Sequence, residues 1–323
     1  MAELPSITWL YEAGIGEARA VLVEDGAILE ARIEPDSDAL RVGAVVKARL
    51  AEITVKGREG RLKLDGGHEA ILSPLPAGIT QGAALTAEIV REAIPEAGRA
   101  KLAKATPVEP DAALTQGPDL LARITASGHP VRTLRAHEPD ALEAAGWSEA
   151  LEEALTGEIA FPGGALRLSP TPAMTLFDVD GGPPLDALAI AAAHHVAAAI
   201  RRHGIGGSIG IDFPTLQGKA QRQAVAAAID DGLPPPFERT AMNGFGFLQI
   251  VRPRPRASLP ELLRADPVGA AARAVLRSLE RTPPAASRRH TLPVAVHARL
   301  MAEPGWLAEL ARRTGVVHEL ESA

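Results

Sequence analysis

Two stretches, Met174-Thr-Leu-Phe-Asp178-Val-Asp180 and Ser208-Ile-Gly-Ile-Asp212-Phe213, decide the fold. Each is a short apolar run closed by aspartate, as expected of a strand that ends at a functional edge. Between them, Asp186–Arg202 is Ala-rich, with Ile190, Ala193, Ala197 and Ile200 on one face and Gly204 beyond its end, which is the pattern of an amphipathic helix and its stop. Strand, helix, strand implies an α/β layer with ligands at the carboxyl ends of its strands. An aspartate in an otherwise buried run is costly unless it is paired or binds a metal. If the two strands are neighbours, Asp178 and Asp212 stand side by side and repel. A hard cation such as magnesium, held by one or two carboxylates and otherwise hydrated, relieves that repulsion. The alternative reading, that these aspartates cap helices or open turns, stays open on these residues alone.

Outward from this centre, Ser148–Ala154 reads as a short helix, and Ala160–Leu168 and Ala173–Val179 as strands split by Pro170 and Pro172. Lys219–Ile229 reads as a helix and Gly246–Arg252 as a strand. Toward the N-terminus, Thr8–Leu10, Ala18–Val23 and Ile28–Ile33 alternate as hairpin strands, with a turn at Asp25-Gly26. Val45–Ala51, Gly60–Leu64, Glu69–Leu72 and Ala84–Val90, with glycine turns, suit an OB-type barrel. Residues 103–120 have little periodicity and read as a linker. From Leu259 the chain is expected to be helical, with helices at Val268–Arg281 and Trp306–Thr314 around a strand at Thr291–Ala295. No internal repeat is visible.

Composition narrows the function. The 323 residues are 46% hydrophobic, enough for a sizeable core, and contain no cysteine. Disulfides, thiolate zinc sites, iron–sulfur clusters and cysteine nucleophiles are thereby excluded. Only 3% are aromatic, which argues against a stacking surface of the kind single-strand binders use. Met1–Pro5 lacks a basic start with an apolar stretch after it, and the longest apolar run is too short to cross a bilayer, so a soluble, cytoplasmic protein without membrane contact is expected. The net charge is −6, but residues 239–323 carry 13 Arg, no Lys and seven acids, so that segment is +6 and the first 238 residues about −12. An all-Arg excess suits bidentate phosphate contacts, although a genome that favours Arg over Lys gives the same count. Arg252-Pro-Arg254-Pro-Arg256 is extended, so its side chains can fan along a phosphate backbone; the plainer reading is a solvated linker. Lys219 and Arg222 follow Asp212, and if the sheet is read correctly these five cations surround one edge beside the aspartates.

Gly206-Gly-Ser208-Ile-Gly210 matches a nucleophile elbow in letters only: an elbow needs a strand before the serine and a helix after it, and here the order is reversed. His194 and His195 are adjacent on a helix and cannot share one face, so solvated or packing histidines are expected. No Walker loop, dinucleotide fingerprint or zinc-protease motif is present.

Phe161-Pro-Gly-Gly followed by Met174-Thr-Leu-Phe-Asp178-Val-Asp180 resembles the ribonuclease E/G family, which has Thr-x-Ile-Asp-Val-Asn there. Ile205-Gly-Gly-Ser-Ile-Gly-Ile-Asp212-Phe213 resembles its Leu-Gly-Gly-x-Ile-x-Ile-Asp-Phe. Asn243-Gly-Phe-Gly-Phe-Leu-Gln-Ile-Val-Arg252-Pro-Arg254 is similar to its Gly-Leu-Leu/Val-Glu-Met/Ile-Thr-Arg-x-Arg strand, and Gly82–Val90 and the tail segments Leu292–Val296 and Leu310–Val316 resemble its barrel and closing domain. The resemblance implies a magnesium-dependent endoribonuclease that cuts single-stranded RNA in processing or decay. Its organisation would be an N-terminal hairpin and OB-type RNA-binding barrel (1–102), a linker with a reduced ribonuclease-H-like and sensor remnant (103–155), a deoxyribonuclease-I-like α/β catalytic layer (156–258) and a small C-terminal α/β domain (259–323). Asp178 and Asp212 fall on the family's magnesium ligands, and Asp180 on an Asn, which leaves a catalytically decayed RNA-binding protein as the alternative. The shortened middle implies that the pocket sensing an RNA 5′ monophosphate is missing. Leu62 and Ile71 stand where the family has two stacking Phe. Without the family's zinc-linking cysteines near Asp266-Pro267, no zinc is expected, and any homodimer is not tied by it.

Overall fold

In the computed structural model, which describes residues 7–96, 100–283 and 286–323, the alternating N-terminal segments form three antiparallel strands, Ile7–Ala13, Glu17–Glu24 and Ala27–Pro35. The reading of Met1–Pro5 lies outside the described residues. A fourth strand, Val131–Thr133, adds parallel to the first. Both faces of this sheet are buried. Leu10, Val21 and Ala31 pack on Leu142, Trp147 and Ala150, while Trp9, Ala20 and Leu22 pack on Leu120 and Ile124. Helices Leu120–Thr125, Ala141–Ala144 and Trp147–Thr156 supply those partners. The segment expected to be linker and remnant therefore completes one layer with the hairpin.

The barrel is inserted between the two parts of that layer. Strands Ala44–Val55, Glu59–Leu64, Glu69–Leu72, Ala103–Val108 and Ala84–Arg91 follow one another round a closed ring, compatible with an OB-type barrel. Ala103–Val108 was expected to begin a linker, and the structure corrects this: Ala103 and Ala105 are buried in the barrel core. Alanine is depleted in strands, so this closing strand carries little signal in its sequence.

The six-stranded sheet runs in the order Glu158–Phe161, Gly164–Pro170, Thr175–Gly181, Gly207–Asp212, Phe247–Arg252, Glu238–Arg239. Thr175–Gly181 and Gly207–Asp212 run parallel, joined by the helix Leu185–Arg202, while their outer neighbours are antiparallel. One face, with Phe177, Val179, Ile209, Ile211, Leu248 and Ile250, is buried under that helix and Lys219–Gly232. The expected strand Ala160–Leu168 is really a hairpin, turned at Pro162-Gly163. His194 is exposed, and His195 stacks on Phe161 with ring centroids 4.7 Å apart.

The last part packs helices Pro267–Glu280, Val294–Met301 and Pro304–Thr314 with two short parallel strands, Arg289–Leu292 and Glu319–Ser322. The strand expected to reach Ala295 stops at Leu292, because Pro293 caps the following helix. A buried ionic cluster bolts this part to the hairpin sheet. Glu12 accepts from Arg19 at 2.9 Å, Arg277 at 2.8 Å and Arg281 at 2.7 Å, and Glu17 accepts from Arg19 at 2.7 Å and Arg273 at 2.6 Å. Among the described residues no helix is long and apolar enough to cross a membrane.

Candidate active site

Because the two central strands are parallel, their apolar runs end at the same level. Asp178 is the direct register partner of Asp212. Both side chains lie on the face opposite the helices and are exposed, not embedded in a buried run as the sequence suggested. The row continues on both sides: Glu158 pairs with Arg167, Arg167 with Asp178, and Asp212 with Phe247. Five strands thus present a base, acids and an aromatic ring along one line.

Asp180 lies two residues beyond Asp178, on the same exposed side. Arg167 donates to Glu158 at 3.0 Å; that bond, then the charges of Glu158, Asp180 and Asp178, hold its guanidinium above its ordinary value. Arg167 was missed from the sequence. Its only signal is the alternation Leu166-Arg167-Leu168, which reads as any half-exposed strand would.

One level below this row, Leu176 pairs with Gly210 and Gly210 with Gln249, which donates to Ser208 at 2.9 Å. A side chain at Gly210 would meet Phe247, Leu176 and Met174 within 3.0 Å, so its glycine lets these three close over the strand.

The cations expected at this edge are placed differently. Arg252 pairs with Gly207, whereas Phe247 pairs with Asp212, so the antiparallel strand carries Arg252 to the opposite end of the sheet. Five residues of strand separate them, about 17 Å. Arg254 is ion-paired with Glu261, and Arg256 lies 3.5 Å from Glu92 of the barrel. Arg222 donates to the carbonyls of Leu216 and Gln217 at 2.7 and 3.1 Å, bracing the loop after Asp212. Lys219 is exposed at the start of the helix. Strand direction thus takes Arg252, and with it Arg254 and Arg256, away from the edge at which they were expected, while Lys219 and Arg222 stay on the helix that follows Asp212.

Arg252 and Arg256 instead line a cleft of about 530 Å³ between the hairpin sheet, the barrel and the α/β layer, with Arg32, Arg41 and Arg123 facing Glu30, Glu34 and Glu92. Burial, and then the neighbouring arginines beside the Glu30 partner, pull Arg32 below its ordinary value. Among the described residues no cluster of three or more histidine, aspartate or glutamate side chains is arranged to hold a metal.

A sequence model of the Ribonuclease E/G family matches residues 76–255, more than half of the chain. The chain belongs to this family. The match runs from within the barrel to the Arg-Pro run and includes Asp178, Asp180 and Asp212. Family membership implies ribonuclease activity, with RNA as substrate class. No curated protein sequence matches the chain.

Proposed function

We propose that this ribonuclease E/G family member is a magnesium-dependent endoribonuclease that cleaves single-stranded RNA, leaving a 5′ phosphate, and acts in cytoplasmic RNA processing or decay on a deoxyribonuclease-I-like layer. The observation that carries the reading is the side-by-side register of Asp178 and Asp212 on an open face, within the region matched to the family. Two adjacent exposed carboxylates fit a hydrated magnesium, which takes few protein ligands and keeps several waters. When bound, such an ion polarises a phosphodiester and lowers the pKa of its water. Asp178 and Asp212 would hold it, Asp180 lies within reach of the same phosphate, and Arg167 offsets part of the acidic charge.

Labelled single-stranded RNA incubated with purified protein and magnesium tests this. Cleavage lost on chelation, and in Asp178→Asn and Asp212→Asn variants that remain folded, is the expected result. Cleavage that survives Asp212→Asn removes the site assignment. The shortened middle leaves 5′-monophosphorylated and 5′-hydroxyl RNA to be cut at similar rates, and any homodimer would keep its mass in chelator.

One observation favours a second reading. Asp180 adds a third acid where the family has Asn, which supports an RNA-binding protein whose site has decayed. Binding without cleavage, unchanged by Asp178→Asn, would be its signature.

A further inference from the structure

Phe245 is 85% exposed, the most exposed large apolar side chain among the described residues. Its backbone is nonetheless fixed. Asn243 Oδ1 accepts from the amides of Phe245 and Phe247 at 2.9 and 3.1 Å, closing a tight turn on itself. Gly246 has φ +100°, and a Cβ there would clash with the carbonyl oxygen of Phe213, so the turn is pressed against the residue after Asp212. Phe213 N donates to Gly246 O at 3.1 Å, and Thr215 Oγ1 donates to Phe245 O at 3.3 Å. A turn held from both sides presents a bare ring to solvent, two residues from the register partner of Asp212. Inward of it, Phe247, Leu176 and Met174 close over Gly210. An aromatic face beside an acidic pair is a poor site for an anion alone, and a fit for a flat, uncharged base attached to a phosphate.

We infer that Phe245 is a positioning residue, on which the base of a nucleotide next to the scissile phosphate stacks. The inference rests on the reading of Asp178 and Asp212 as the phosphate-reacting edge. One ring suffices for this, so the scarcity of aromatic residues is no objection: it limits the platform to one base. Stacking accepts any base, and the preference would be for unpaired RNA rather than for a sequence.

The experiment uses the full chain in chelator, which on the magnesium reading stops cleavage. Trp9 and Trp147 are buried and Trp306 is half-buried, so the emission that a Phe245→Trp variant adds over wild type, read as the difference between the two, reports on this position. Single-stranded RNA should quench it, and an abasic oligomer of the same length should not. Phe245→Ala should weaken RNA binding about five- to a hundredfold, Phe245→Tyr should restore it, and neither should move the melting temperature. Equal affinity of Phe245→Ala and wild type, or equal quenching by the abasic oligomer, overturns the inference. If Asp212→Asn abolishes cleavage while Phe245→Ala binds normally, the carboxylate reading stands and the stacking role alone falls. If quenching is base-dependent but cleavage survives Asp212→Asn, the stacked base sits elsewhere than beside the reacting phosphate, and the positioning role falls with the carboxylate reading.

Discussion

Arg252 is the antiparallel partner of Gly207, so it stands at the amino end of the strand that terminates in Asp212. Its near neighbours are ion-paired, Arg254 with Glu261 and Arg256 with Glu92, whereas Arg252 has no ion-pair partner among the described residues. Each phosphate contact on a single strand contributes about 0.7 to the slope of log affinity against log salt. Arg252→Ala should therefore lower that slope by about 0.7, and the triple change with Arg254→Ala and Arg256→Ala by little more. Affinity titrations between low and moderate salt measure this; a fall of about two for the triple change would mean that RNA displaces the glutamates.

The buried cluster around Glu12 predicts acid sensitivity. Burial alone would raise the Glu12 carboxyl, but Arg277, Arg281 and Arg19 outweigh it and hold it below its ordinary value. A depressed folded value gives stability that is present above the unfolded value of 4.5 and is lost as pH falls through the folded one. Glu12→Gln leaves three arginines facing a neutral group and should cost about 3–5 kcal/mol at neutral pH. Denaturant melts of both proteins should converge as pH falls below 4.5; a gap that stays constant would show that the charge of Glu12 is not what matters.

Leu62 is fully buried in the barrel, and Ile71 is half-buried on a neighbouring strand. Leu62→Ala should cost about 2–5 kcal/mol of stability, as a cavity does, while leaving RNA affinity of the folded protein unchanged. A specific loss of affinity without a change in melting temperature would mean that this leucine had replaced a stacking Phe in function as well as in place.

Asp180→Asn restores the family's residue and removes one exposed acid beside Asp178. RNA binding at low salt should tighten about two- to fivefold, the scale of one surface charge pair, and cleavage should be kept or raised. Loss of cleavage would show that Asp180 has become essential.

The pairing of Asp178 with Asp212 was legible in the sequence because apolar runs ending in aspartate, separated by a helix, imply parallel neighbours. Their exposure was not, because a run such as Thr-Leu-Phe-Asp-Val-Asp alternates faces: Phe177 and Val179 point into the core while Asp178 and Asp180 point out. The direction of Phe247–Arg252 was also hidden. An apolar strand reads the same whether it runs parallel or antiparallel, and only direction decides whether Arg252 is near Asp212 or far from it. The closing strand of the barrel was lost to alanine, and most partners of the hairpin lie more than a hundred residues away along the chain.

The barrel's attachment has its own mechanical consequence. The chain enters it at Ala44–Val45 and leaves at Thr115–Gln116, and these two crossings are hydrogen-bonded to each other as antiparallel strands. Arg123 reaches Glu34 at 2.7 Å just beneath them. A module hung on one strand can swivel freely; one hung on a zipped pair can bend only as a flap and resists twisting. The outer wall of the barrel therefore keeps a set bearing toward the open sheet, and a strand of RNA touching both would meet them at a fixed angle and spacing.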